Sequence, residues 1–567
     1  MIKYIKMLKK YKELKVSSKK YMILLFITVI LIAGFRVALP YLAALIITYI
    51  TEKNYDSTII TLVIFSICYL LYYVVYHYNY KIFTKHAIYT HNALQKKILK
   101  KLSSIDEDYS KDMSESFLSS TSYNDIGEVV QIPDQAFNSI KYAIILIFSI
   151  VIIFTINIYF GICTLIIVIS YLIILNYHLD KRDYYLNSEI IYRDKTGHLL
   201  GQVLEGEKEI QAFDMSDNLK KHLFSINKGW SNVHFNKMDN VNKAEILDPA
   251  IISIFKIIIY TIMTYLIMKG QYGIGILVLI ISYVDTVIDD SDELFQCIDL
   301  LSSNRVRLNR INKILKYKNK HEIDYGEYDN DNIKGEVIFK NVYFDYENDN
   351  TLKNVSFEIA PHSFTVIAGK SGAGKSTIFK ILLRLYKIKQ GKVLIDGINI
   401  YDYNKDVYSS NVSVATQKPF IFDMSIRENF NLIDSNFRNQ VRACKKVGIH
   451  DIIMSLPDGY NTKIGKDGSN ISFANKQLIA LARTLLSKAE ILLFDEVTAS
   501  LDEKTSNKII KLINELKKKH TVIMITHKKN IMRKADKIIV VNNGKIVAIG
   551  KHRELLENSK TYYNLTK

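Results

Sequence analysis

The chain has 567 residues, enough for more than one domain, with 49% hydrophobic residues and a net charge of +18. Its four cysteines, Cys68, Cys163, Cys297 and Cys444, lie far apart with no CxxC, which argues against a disulfide framework or a cysteine zinc site. The basic surplus could mean nucleic acid, but its placement argues against that: the first twenty residues, MIKYIKMLKKYKELKVSSKK, hold eight lysines and one glutamate directly before an apolar run, the pattern of a membrane's cytoplasmic side.

Residues 1–20 read as a basic amphipathic segment without the short apolar core and cleavage site of a removable signal. Six apolar segments follow, at 21–50 (with Pro40 inside), 59–80, 142–160, 162–177, 246–268 and 272–288. Most approach the roughly 20 residues that a helix needs to cross a bilayer. The joints after the first, third and fifth segments are short: TEKNYDS, Gly161 and KGQYG. Those after the second and fourth are long, polar and heptad-like. With the basic start inside, every short joint falls outside and every long one inside. The polar stretches then read as helices that continue into the cytosol and turn back. This places both termini on the cytoplasmic side of a multi-pass membrane protein.

The sixth segment runs on as SYVDTVIDDSDELFQCIDLL. On a helix, Asp285, Asp289, Asp292, Gln296 and Asp299 share one face. Acids at membrane depth face water or a cation. Asp285, Asp289 and Asp292 are therefore candidates for contact with a cationic cargo; the alternative is a position at the membrane edge or pairing with Lys256 and Arg36. The aromatic run Tyr72 to Tyr80 reads as lipid-facing or packing, with a substrate platform as the alternative. After LLSSNRVRLNRINKILKY the composition changes. The fold class is multidomain: an all-α six-helix transmembrane domain, 21–318, with long cytoplasmic helix extensions, a linker, 319–334, and an α/β P-loop nucleotide-binding domain, 335–567.

In the second domain GKSGAGKST follows the apolar strand FTVIA and precedes the helical pattern IFKILLRLY. This is a P-loop in its confirming context. Gly369, Lys370, Ser371, Gly372, Ala373, Gly374, Lys375, Ser376 and Thr377 would turn backbone N–H groups around phosphates, aided by the positive end of the helix. Lys375 would reach the β- and γ-phosphates of ATP, and Ser376 would ligate Mg2+. ILLFDE is a second apolar strand, ending in Asp495, placed for the magnesium water shell, and Glu496, placed to polarise a water.

The order of these motifs resembles that of the ATP-binding cassette (ABC) transporters of the exporter type, along the whole chain. The resemblance implies further roles. Tyr346 in VYFDY matches the adenine-stacking residue. Gln417 in VATQKPF matches the Q-loop glutamine, a magnesium ligand and sensor of the membrane domain. ASLD, 499–502, matches the D-loop, and His527 the γ-phosphate-sensing histidine. Short coupling helices are expected near Asp106–Met113 and Glu207–Phe213. Six helices and one cassette imply a half-transporter that works with a second subunit.

The chain departs from the family at NISFANKQ. Where the family has LSGGQ, it carries Ile471, Ser472, Phe473, Ala474 and Asn475. That turn acts in trans, closing on the nucleotide of the other cassette. The segment TKIGKDG also puts Lys463 and Lys466 where the family has acids. All residues needed in cis remain: Lys375, Gln417, Asp495, Glu496 and His527. The one-sided damage, at Ser472, Phe473 and Ala474, points to a heterodimer whose partner carries an intact signature and a substituted catalytic glutamate. The expected function is ATP-driven efflux of a cationic peptide or amphipathic drug. The alternatives are a homodimer of low turnover, a lipid floppase and a non-transporting ATP-binding regulator.

Overall fold

The computed structural model describes residues 9–12, 14–105, 113, 115–319, 325–330, 332–346, 349–465 and 470–566. Two compact units divide the chain, Met1–Lys318 and Asn319–Lys567.

The first unit is built on six long helices: α1 (Lys19–Thr51), α2 (Tyr55–Leu102), α3 (Ile132–Ile156), α4 (Ile158–Glu205), α5 (Ser216–Met268) and α6 (Ile274–Leu315). α1 packs along α2, α3 along α6, and α4 along α5. Among the described residues, Lys19–Thr51, Tyr55–Leu102 and Phe117–Ile156 are long and apolar enough to cross a bilayer, and Ile158–Ser170 and Ser253–Met268 are shorter apolar helices. Ile59, Leu62, Ile67 and Leu70 on α2 are exposed, as lipid-facing side chains are. In lipid the hydrophobic effect does not drive helices together, so close packing and polar bonds locate the contacts. Tyr283 of α6 is buried and donates its hydroxyl to the Val37 carbonyl of α1 at 2.7 Å.

The reversal between the third and fourth apolar segments corrects the expectation of a joint at Gly161. It falls at Asn157, whose backbone is extended and whose side chain accepts from the Tyr159 N–H at 2.9 Å, capping α4. Gly161 lies inside α4, where any Cβ would collide with the Phe154 ring of α3. The glycine therefore allows the two helices to approach, while the asparagine turns the chain.

The apolar segments run on as helix into the long polar joints, with α2 and α4 each 48 residues long. The turn between α4 and α5 holds a short helix, Glu207–Ala212, with no buried residue. The other expected coupling segment falls mainly on residues 106–112, outside the described residues, as do residues 1–8 and Lys466. Within the basic N-terminal segment Tyr11, Leu14 and Val16 are buried in one cluster with Leu94, Ile98 and Ile311.

In the second unit β1 (Val337–Tyr346) pairs antiparallel with β2 (Asp349–Ile359) and β4 (Gln390–Ile395), and β5 (Ile398–Asn399) pairs with β4. A six-stranded sheet runs in the order β10-β9-β3-β8-β7-β6, with β3 (Phe364–Ala368), β6 (Val412–Ala415), β7 (Ile491–Asp495), β8 (Thr521–Ile525), β9 (Lys537–Asn542) and β10 (Lys545–Gly550). The β3–β9, β3–β8, β8–β7 and β7–β6 pairs are parallel. β3 and β8 are buried at every residue, as expected for strands covered on both faces.

Candidate functional site: the nucleotide cleft and the membrane cavity

The strand order explains how residues scattered over 150 positions become neighbours. The P-loop follows β3, His527 follows β8, Asp495 ends β7 with Glu496 next, and Gln417 follows β6. β3, β8, β7 and β6 are adjacent and parallel, so all four motifs emerge at one edge, outside the carboxyl ends of the strands.

The P-loop wraps the start of α7 (Lys375–Leu382). Gly374, its cap, has φ 103° and Gly372 has φ 73°, both in the left-handed region that glycine enters without strain. Lys375 is buried and folds back to donate to the carbonyls of Gly369 and Lys370, each at 2.8 Å. Ser376 is exposed beside it. Tyr346 lies at the end of β1, its ring edge-on to Tyr386 at 5.2 Å and its hydroxyl 3.5 Å from Thr377 Oγ1. The adenine-stacking candidate and the P-loop therefore meet.

Gln417 Nε2 donates to Glu496 Oε2 at 2.7 Å, and His527 Nε2 lies 3.5 Å from Glu496 Oε1. The three residues nominated for water activation and sensing form one contact chain. Glu496 has φ 48°, unusual for a non-glycine residue, and its N–H donates to the Ile525 carbonyl at 3.0 Å. Such a conformation costs on the order of 1 kcal/mol and is sustained by its surroundings.

Burial lowers the Lys375 pKa, with Glu496 and Asp495 acting against it. Burial raises the Asp495 pKa, Glu496 adds to the effect, and Lys375 opposes it. Each group would gain from a ligand of opposite charge: phosphate for the lysine, a cation for the acid. The donors fit magnesium. The Ser376 hydroxyl, the Asp495 carboxylate and Gln417 Oε1 are hard oxygens, and Gln417 uses its nitrogen, not that oxygen, on Glu496.

The altered turn opens α8 (Phe473–Leu486). Ser472 is its N-cap and accepts from the Asn475 N–H at 3.2 Å, so among the described residues this hydroxyl serves its own helix, not the P-loop. Ile471 and Ala474 pack on the cassette core, while Phe473 remains 42% exposed. The Ala474 Cβ is accommodated, and the Phe473 ring is the part that protrudes.

In the first unit the acids of α6 divide. Asp285 pairs with Lys256 at 2.5 Å and accepts from the Tyr260 hydroxyl at 3.1 Å. Asp290 is fully buried and pairs with Arg36 at 3.4 Å. Asp289 and Asp292 are exposed, and Asp292 accepts from Gln296 at 3.0 Å. A cavity of about 350 Å3 is lined by Arg36, Tyr72, Tyr73, Tyr76, Lys141, Tyr142 and Glu293, and Tyr142 donates to Glu293 at 3.1 Å. Part of the aromatic run thus faces a cavity.

Several structural residues carried no local signal. Arg310 of α6 bonds Asp125 at 2.7 Å, Asp194 of α4 at 2.7 Å and Ser120 at 2.8 Å. Lys528 reaches the Thr498 carbonyl and Ser506 Oγ, tying the residue after His527 to the segment after Glu496. A lysine flanking a strand end gives no hint of such partners.

Residues 22–290 match the ABC transporter transmembrane region, and residues 352–499 match the ABC transporter family. The chain is similar to YgaD of Bacillus subtilis (strain 168), named for a multidrug export ATP-binding/permease role, with 31% identity over 53% of each chain. It is also similar to the leukotoxin translocation ATP-binding protein LktB of Mannheimia haemolytica, with 39% identity over 41% of this chain and 33% of that one. These alignments span about half or less of the relatives' length. Its fold is that of a bacterial Atm1-family ABC exporter solved with ATP bound, with a TM-score of 0.87, 21% identity, and coverage of 96% of this chain and 97% of the other. The two matches, over residues 22–290 and 352–499, together span most of the chain, which therefore belongs to the ABC transporters.

Proposed function

We propose that the chain is one half of an ATP-driven exporter in a bacterial cytoplasmic membrane, hydrolysing ATP in its own cassette. The observation that carries this reading is the Gln417–Glu496–His527 contact chain beside Lys375. Lys375 would bind the β- and γ-phosphates, and Tyr346 would stack on the base. Ser376, Gln417 and Asp495 would hold Mg2+, which neutralises phosphate charge when bound. Glu496 would polarise the attacking water, and His527 would contact the γ-phosphate. Chemistry of this kind is mostly positioning and charge neutralisation.

The partner in this reading is a second half-transporter with an intact LSGGQ-type turn and a substituted catalytic glutamate. The exposed Phe473 ring supports it, because a bulky side chain stands where the family's turn approaches a nucleotide across the dimer. The site containing Phe473 would hold ATP and turn over slowly. The cargo is a cationic peptide or amphipathic drug, and the multidrug name of one relative suits the drug. Exposed Asp289 and Asp292 support the cation.

The test is the ATPase activity of this chain purified alone in lipid, beside Glu496→Gln, and then with candidate partners. Turnover that appears only with a partner and vanishes in the variant supports the reading. Robust turnover of the chain alone would overturn the heterodimer, and nucleotide binding without turnover in any assembly would favour the regulator.

A further inference from the structure

α8 reaches the Q-loop of its own cassette from behind. Gln477, just past the altered signature, is 2% exposed. Its Nε2 donates to the backbone carbonyl of Gln417 at 3.3 Å, while its Oε1 is buried without a hydrogen-bond partner among the described residues. Two further side chains of the same helix hold the same segment: Thr484 Oγ1 donates to the Val414 carbonyl at 3.1 Å, and Arg483 Nη2 to the Phe420 carbonyl at 2.7 Å. The stretch from Val414 to Phe420 is thus pinned at both ends and in the middle, and the middle contact falls on the residue whose side chain bonds Glu496.

Resting on the nucleotide-site reading above, we propose that Gln477 is a positioning residue for Gln417. Through it the signature helix works in cis, even though its exposed turn is altered. The physical argument is one of cost. A leucine or methionine would fill the same volume without leaving a buried amide oxygen unpaired. What the amide adds is a fixed 417 carbonyl, and with it a fixed origin for the side chain that reaches Glu496 and offers Oε1 to magnesium. Displacement of α8 by a partner subunit would be transmitted to Gln417 by the same bond.

The experiment compares full-length wild type, Gln477→Met and Thr484→Val in lipid, each with a Glu496→Gln background for binding. The readouts are binding of a fluorescent ATP analogue with and without Mg2+ and the half-saturating Mg2+ concentration. Thr484→Val removes a bond from the same helix to the same segment without touching residue 417. The expected result for Gln477→Met is unchanged nucleotide binding in chelator and a half-saturating Mg2+ concentration raised about 3- to 10-fold, while Thr484→Val moves neither. Mg2+ dependence identical to wild type in Gln477→Met, or an equal shift in Thr484→Val, would overturn the positioning role. If Gln477→Met does not fold, Gln477→Asn, which keeps the amide but shortens its reach, is read by the same measure. Wild type that binds no nucleotide would instead sink the nucleotide-site reading itself.

Discussion

Gln417 and Glu496 lie 79 positions apart and meet through a 2.7 Å hydrogen bond from Nε2 to Oε2. The bond couples the residue nominated as magnesium ligand to the residue nominated to polarise water, so a change at one is felt at the other. Gln417→Ala should lower ATP turnover by about 10- to 100-fold, the range typical for loss of groups that orient a metal site. Nucleotide binding in chelator should stay unchanged. Steady-state kinetics beside equilibrium binding check both halves.

Restoring the signature tests the reading of the altered turn. The triple change Phe473→Gly, Ala474→Gly and Asn475→Gln removes the protruding ring and returns the family's pattern. ATPase activity of the chain alone should rise at least about tenfold. Each glycine in the first turn of α8 costs up to about 1 kcal/mol of helix stability, so the cassette should melt slightly earlier while working faster. A variant no more active than wild type would show that the turn does not limit turnover.

Arg310 should be the most sensitive position outside the nucleotide site. Its partner Asp125 is fully buried, and Arg310→Met would strand that carboxylate. Breaking a buried pair on one side costs about 3–5 kcal/mol. The thermal midpoint of the full chain in detergent should fall by several degrees. The double variant Arg310→Met with Asp125→Asn should recover part of the loss.

Glu189 of α4 accepts from Lys237 at 2.7 Å and His234 at 2.6 Å, both on α5. Burial, the largest single influence, raises its pKa, but the bonds from Lys237 and His234 together outweigh it and the carboxyl titrates below its ordinary value of 4.5. A depressed folded-state pKa gives stability that is complete above the ordinary value and lost as pH falls through the folded one. Glu189→Gln should therefore melt below wild type at neutral pH, and the gap should close below about pH 4.5. A gap that persists into acid would mean that the contact works through shape, not charge.

The acids of α6 should separate by partner. Asp289→Asn and Asp292→Asn should reduce stimulation of the ATPase by a cationic cargo and leave melting unchanged. Asp285→Asn should instead destabilise the chain, because it leaves Lys256 without its carboxylate. Unchanged stimulation in both exposed-acid variants would show that these acids do not recognise the cargo.

Local pattern was enough to name much of this protein. A glycine-rich turn between an apolar strand and an apolar-periodic helix is a P-loop wherever it folds. Apolar runs near the length of a bilayer crossing, joined alternately by short and long links, read as a helical membrane domain. Asp495 and Glu496 could be named because a buried strand ending in two acids is a local signal. The substitutions at 471–475 were visible for the same reason.

Other features depended on contacts between distant parts of the chain. Gly161 looks like a breaker in the sequence and hides the turn at Asn157, yet its lack of a side chain is needed against Phe154. The Arg310 cluster joins positions 185 and 116 residues apart, and nothing near Arg310 marks its partners. Gln477 resembles any polar residue in a helix until its amide is seen on the Gln417 carbonyl. The sequence by itself determined the motifs, because each depends on short-range backbone conformation and side-chain chemistry. Only the tertiary structure decided their geometry: the strand order β3-β8-β7-β6 brings Lys375, His527, Glu496 and Gln417 to one edge, and long-range pairing, which leaves no local periodicity, sets that order.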